Sequence, residues 1–238
     1  MMYQIGPGLS PIGKRLLVFY AIVYIAELLL EHWLHIPVAR YLCLAPWEGQ
    51  GFYPWQLVSS LFVHDPRAPI LFLINCVMFY FFTGPVEYAL GSRRFLGVFF
   101  AAGLGGNLCG LAFSAVSGFN APFCGMLPSL LALLVVFGFL NPRAMVLLMF
   151  VLPIQAKYIS YLTLLITALT FLAKANPYGA YHLGGIMFGY AVFRGPVRFH
   201  EIQLLRLKWA QWRLMRKKAR FTVIKGGKNK KDDKPTYH

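Results

Sequence analysis

Six apolar runs divide the chain, near residues 15–34, 69–89, 94–117, 125–141, 157–173 and 179–195. Each is about 17–25 residues long, the length a helix needs to cross a hydrocarbon core about 30 Å thick. Inside lipid every backbone N–H and C=O must find its partner within the chain, so runs of this length are read as helices. Only 13% of the residues are charged, against about 25% in a soluble globular domain. The pattern predicts an all-α membrane protein: a cytoplasmic segment 1–14, a six-helix membrane domain 15–198 and a tail 199–238.

Charge gives the expected orientation. Lys14 and Arg15 flank the first run, Arg93 and Arg94 lie between the second and third, and Arg143 and Lys157 lie between the fourth and fifth. With the basic tail, these share one side if both termini are inside; the other side holds mainly Arg40, Arg67 and Lys174. Positive residues stay on the cytoplasmic side, so a multi-pass membrane protein with an N-in/C-in topology is expected.

The net charge of +15 is concentrated at one end. From Arg194 onward there are fourteen Lys/Arg and three acids, +11, leaving +4 for the rest. Within residues 200–221, Trp209 and Trp212 alternate at helical spacing with Arg206, Lys208, Arg213, Arg216, Lys217 and Lys218. This amphipathic basic stretch suits an anionic inner leaflet rather than nucleic acid. Residues 225–238 are polar and of low complexity, a disordered composition.

Residues 35–68 form a long outer segment rich in Trp, Tyr and Pro, expected to lie partly helical in the outer interface. Residues 143–155 are apolar but too short to span, which predicts an interfacial or shallow re-entrant piece. Cys43, Cys76, Cys109 and Cys124 are scattered and show no metal-ligand spacing, so neither a disulfide framework nor a bound metal is expected, and no cofactor motif appears. His32, His35 and His64 are read as outer interface residues. Glu27 and Glu31 are read as facing the bundle or the interface, and Glu87 as tying the turn after the second helix by hydrogen bonds.

Four places carry a resemblance. Cys124-Gly125-Met126-Leu127-Pro128-Ser129 opens the fourth run, and His182-Leu183-Gly184-Gly185-Ile186-Met187-Phe188-Gly189 opens the sixth. Trp55-Gln56 begins the stretch that leads to His64, and Leu71-x-x-x-Asn75 precedes Gly84-Pro85-Val86-Glu87 and Gly91-Ser92-Arg93-Arg94. In order and spacing these resemble the rhomboid family of intramembrane serine proteases over roughly residues 50–195. The family carries Gly-x-Ser-Gly where Cys124–Ser129 stands, His-x-x-x-Asn where Leu71 to Asn75 stand, and Trp-Arg where Trp55-Gln56 stand. The resemblance implies a rhomboid-like six-span bundle, with Leu127 at the nucleophile position, His182 as the base and Asn75 as a surviving polar neighbour.

Leucine has no atom that a base could activate, and Pro128 has no N–H beside it. Leu71 replaces a side chain that, by the resemblance, helps hold the oxyanion. Asn75 and His182 are then vestigial. The leading expectation is a catalytically inactive relative that binds transmembrane client proteins in a groove framed by Trp55, Gly125, Leu127, His182, Gly185 and Gly189. Gly185 and Gly189 are four residues apart and let another helix approach; the family pattern names the fourth span as that partner. A second reading is an active protease with a displaced nucleophile: Cys124, Ser114, Ser117 or Ser129. Ser129 stands about 200° around a helix from position 127 and so points away from His182. A third is a transporter using Glu27, Glu31 and His182, which lacks the repeat expected of one.

Overall fold

The computed structural model describes residues 9–45, 51–118, 122–148, 152–174 and 177–195, with Trp209, Gln211 and Arg213 of the tail. The chain divides into two units at Gly195/Pro196. In the first, α1 (Pro11–Leu28) runs into one π-helical turn (Leu29–Trp33). Short helices α2 (Val38–Leu42) and α3 (Gln56–Ser59) follow in the outer segment. The body continues with α4 (Pro69–Leu90), α5 (Ser92–Ser117), α6 (Leu127–Leu140), α7 (Ala156–Lys174) and α8 (Pro177–Arg194).

Element ends follow local chemistry. Ser10 accepts the Gly13 N–H at 3.3 Å, and Pro11 occupies the first turn of α1, where no N–H is needed. His35 stands at φ +53 and Pro37 follows, which stops α1. The Glu87 carboxylate accepts from the Ser92 hydroxyl at 2.7 Å and from the Gly13 N–H at 3.2 Å, which ties the α4–α5 turn to the start of α1. The structural reading of Glu87 holds.

Four helices are long and apolar enough to cross a membrane: Pro11–Trp33, Pro69–Leu90, Ser92–Ser117 and Ala156–Ala173. Their outward faces carry Phe19, Ile22, Ile25, Ile70, Leu73, Leu165 and Ile166 exposed, as a lipid-facing surface requires. The 14-residue α6 is shorter than the bilayer core is thick, about 21 Å at 1.5 Å per residue. It is the central helix, buried at ten of its positions and packed by α4, α5, α7 and α8. A helix that is apolar all round belongs in such a place. The core joins Tyr20, Phe72, Phe79, Phe95, Phe99, Leu130 and Leu133 from α1, α4, α5 and α6. Helix–helix association in lipid rests on close packing, and α5 and α8 make the most extensive contact.

The expectation of an all-α chain is corrected at one place. Met145–Leu148 (β1) and Leu152–Gln155 (β2) pair antiparallel, with Val146 opposite Ile154. The stretch read as interfacial or re-entrant holds this strand pair, in which Met-Val-Leu-Leu and Leu-Pro-Ile-Gln satisfy backbone groups of each other. In the second unit Trp209, Gln211 and Arg213 are helical, and the Arg213 guanidinium lies 3.6 Å from the Trp209 ring centre. The other tail residues named above (Arg206, Lys208, Trp212, Arg216, Lys217 and Lys218) lie outside the described residues.

Candidate functional site

The lead-in to α6 is a short extended segment paired to the outer segment. Leu44 and Phe123 exchange both backbone hydrogen bonds, each 2.9 Å. The next residues place the start of α6. Gly125 stands at φ +108, a conformation that side chains rarely adopt, and its N–H donates to the Ser60 carbonyl at 2.8 Å. The Met126 N–H points to His64 Nε2 at 3.5 Å. Leu127 is then the first helical residue, and Pro128, without an N–H, is the second. Around the nucleophile position, two backbone donors are held by the chain itself and a third does not exist.

α8 packs directly on this helix start. A methyl group placed on Gly185 would stand 2.6 Å from Pro128 Cβ and 3.1 Å from the Ala102 carbonyl oxygen; one on Gly189 would stand 2.7 Å from Ala132 Cβ. The glycine pair therefore faces α6, with α5 behind it. The chain's own Pro128 and Ala132 fill the space that the missing Cβ atoms leave. One turn earlier, Tyr181 stacks on Phe123 with ring centres 4.3 Å apart, and His182 meets Phe123 edge-on at 6.2 Å. The fold thus brings His182 beside the lead-in to Leu127. His182 Nε2 is buried without a hydrogen-bond partner among the described residues. Tyr178, a candidate partner in sequence, donates to the Pro122 carbonyl at 3.0 Å instead, and the Tyr181 hydroxyl lies by Ser114.

The displaced nucleophiles each have another place. Ser129 donates to the Phe99 carbonyl at 2.7 Å and is buried. Ser114 is buried beside Tyr181. Ser117 is exposed at the end of α5. Cys124 lies beside Cys43. None of these side chains bonds to the buried His182 Nε2.

Asn75 is buried, with its Oδ1 unpaired among the described residues, whereas Leu71 is half-exposed. Trp55 is also half-exposed, and its Nε1 donates to the Tyr41 carbonyl at 3.0 Å. Its neighbour Gln56, noted in the sequence only as standing where the family has arginine, has a structural role. Gln56 is wholly buried; its Oε1 accepts from Ala45 at 3.2 Å and Tyr53 at 3.3 Å, and its Nε2 donates to the Arg40 and Tyr41 carbonyls, each at 3.4 Å. One amide thus crosslinks both halves of the outer segment. A glutamine in an otherwise apolar stretch was the available signal.

His64 corrects another expectation. It is buried at 4% exposure rather than lying in the outer interface. Its ring is edge-on to Tyr20, Tyr24 and Phe72. Burial lowers its pKa from 6.5 to about 4, so the ring is neutral at physiological pH and Nε2 can accept from Met126. Glu27 accepts the His64 backbone N–H at 3.0 Å, and Glu31 accepts the Ala39 N–H at 3.4 Å. Both carboxylates hold the outer segment to the end of α1.

Comparison with curated protein sequences returned no match. Comparison with protein-family patterns matches residues 52–196, more than half of the chain, to the Rhomboid domain. That interval holds α3 to α8, the Gly125 turn, Leu127 and His182, and with the apolar helices it marks an integral membrane protein: the chain belongs to the rhomboid family.

Proposed function

We propose that this protein is a rhomboid pseudoprotease that binds transmembrane client proteins without cutting them. The observation that carries the proposal is the state of the α6 start. Leu127 offers no nucleophile, Pro128 offers no N–H, and the Gly125 and Met126 N–H groups point to Ser60 and His64. Acyl transfer needs an activated oxygen or sulfur and free donors aimed at the developing oxyanion. Among the described residues, His182 Nε2 has no hydrogen-bond partner, so no nucleophile is poised against it.

In this reading α6 and α8 complete a six-span bundle with both termini cytoplasmic, in a bacterial inner membrane. Trp55, Gly125, Leu127, His182, Gly185 and Gly189 frame the region where a client helix is recognised, and the basic tail holds the anionic inner leaflet. The glycines contribute by drawing α8 onto α6, and the half-buried Leu127 and His182 stand nearest the client.

The test is reconstitution in liposomes with single-span substrates whose helices are destabilised by polar residues, with His182→Ala as control. The expected result is no cleavage by either protein, together with photocrosslinking from position 127 to the substrate above a scrambled-sequence control. Cleavage that disappears in His182→Ala would overturn the proposal.

A further inference from the structure

The Leu44–Phe123 pair has a consequence one residue to its outer side. Because Leu44 and Phe123 exchange both N–H···O bonds, the neighbouring opposite positions are Cys43 and Cys124, in the non-hydrogen-bonded register of an antiparallel pair. That register brings Cα atoms to about 4.5 Å, within the range of about 4.4–6.8 Å that a disulfide spans. Cys43 itself is extended, at φ −72 and ψ 146. Its thiol lies close enough to Cys124 for the two groups to interact, as side chains opposite each other in that register do. The neighbouring Cys124 first, and burial second, raise the pKa of the Cys43 thiol.

We propose that Cys43 and Cys124 are a reversible disulfide pair, which a thiol–disulfide oxidant in the compartment facing the outer segment closes and a dithiol reductant reopens. Access sets the order of events, because Cys124 is partly exposed and Cys43 is buried. Cys124 attacks one sulfur of the oxidant's disulfide; that S–S bond breaks, one thiol leaves with the proton, and a mixed disulfide forms. The Cys43 sulfur then attacks Cys124 Sγ, a second thiol leaves with the Cys43 proton, and the intramolecular S–S bond is made. Two electrons pass from the cysteine pair to the oxidant, which ends as two thiols.

The bond would clamp α2 to the lead-in of α6 at a sensitive point. Leu44 and Phe123, the next residues inward, are fully buried with Tyr181, and Phe123 touches His182. Without the bond, the outer segment holds this lead-in through the Leu44–Phe123 pair, the Gly125–Ser60 bond and the long Met126–His64 bond. Oxidation adds a covalent link to that set. The proposal concerns the clamp alone and stands whether or not the site cuts substrates.

The experiment treats the full chain in native membranes with oxidised glutathione, traps free thiols with an alkylating reagent and maps the peptides by mass spectrometry. The expected result is a Cys43–Cys124 peptide pair two hydrogens lighter than the reduced peptides and reversed by dithiothreitol, with Cys76 and Cys109 still alkylated. Recovery of Cys43 and Cys124 both alkylated, glutathione retained on Cys124, or pairing through Cys76 or Cys109 would each overturn it. In detergent, oxidation is expected to raise the thermal midpoint of the wild type and to leave Cys43→Ser unchanged. A bond that forms without moving the wild-type midpoint would overturn the clamp.

Discussion

Restoring a hydroxyl at position 127 isolates what else the site has lost. Leu127→Ser gives α6 a nucleophile at its first residue, beside the lead-in that His182 touches. The expected outcome is still no cleavage, because Pro128 supplies no N–H and the Gly125 and Met126 donors are engaged. Cleavage by Leu127→Ser in liposomes would show that these donors can be released. His64 yields a second residue-scale expectation. Its folded pKa of about 4 lies below the ordinary 6.5, so the unfolded chain binds the proton first as pH falls. Stability is therefore full above about pH 6.5 and declines as pH falls toward 4, by at most about 3 kcal/mol for a shift of this size. Thermal unfolding of the detergent-purified protein across that window, against His64→Phe, checks it; parallel curves for the two proteins would reject the assignment. Gln56→Ala strands the Ala45 and Tyr53 N–H groups and the Arg40 and Tyr41 carbonyls. A loss of about 2–4 kcal/mol is expected by the same measurement.

At the scale of elements, the helices were legible because each apolar run has one physical outcome in lipid. The runs expected near 69–89 and 157–173 became Pro69–Leu90 and Ala156–Lys174. The spacing of Gly185 and Gly189 also carried real information, since a small-residue pair four apart marks a close helix contact, and α6 is found there. The strand pair was not legible, because a thirteen-residue, mostly apolar stretch with one proline fits a strand pair or an interfacial helix equally well until its partner is known. His64 and Gln56 were misjudged or missed for a related reason: burial of a polar side chain depends on tertiary neighbours that one sequence does not display. The glycine contact gives the test at this scale. Gly185→Ala puts a methyl against Pro128 and the Ala102 backbone, neither of which can swing aside, so a loss of about 1–3 kcal/mol is expected. Gly97→Ala, where the nearest atom would be Val192 Cγ1 at 3.6 Å, is the tolerated control. Equal thermal midpoints for the two variants would mean that α8 shifts to accommodate the methyl.

For the whole molecule, the separation of charge from hydrophobicity is the organising feature. Residues before Arg194 carry +4 and those from Arg194 onward +11, so one end of an otherwise apolar chain is strongly cationic. Within that end, Arg213 already lies over the Trp209 ring, an arrangement that keeps an aromatic and a cation together at an interface. If the tail binds the inner leaflet through charge, its affinity must respond to salt, because raising ionic strength from about 0.1 to 1 M shortens the screening length from about 10 to 3 Å. A peptide of residues 200–221 is expected to bind vesicles containing an anionic lipid, to lose at least about tenfold in affinity over that range, and to ignore neutral vesicles. Trp209 and Trp212 fluorescence reads the binding directly. Salt-independent binding would mean that the apolar face dominates. Absence of binding to either vesicle would remove the membrane as the tail's partner and turn the search to an acidic protein surface.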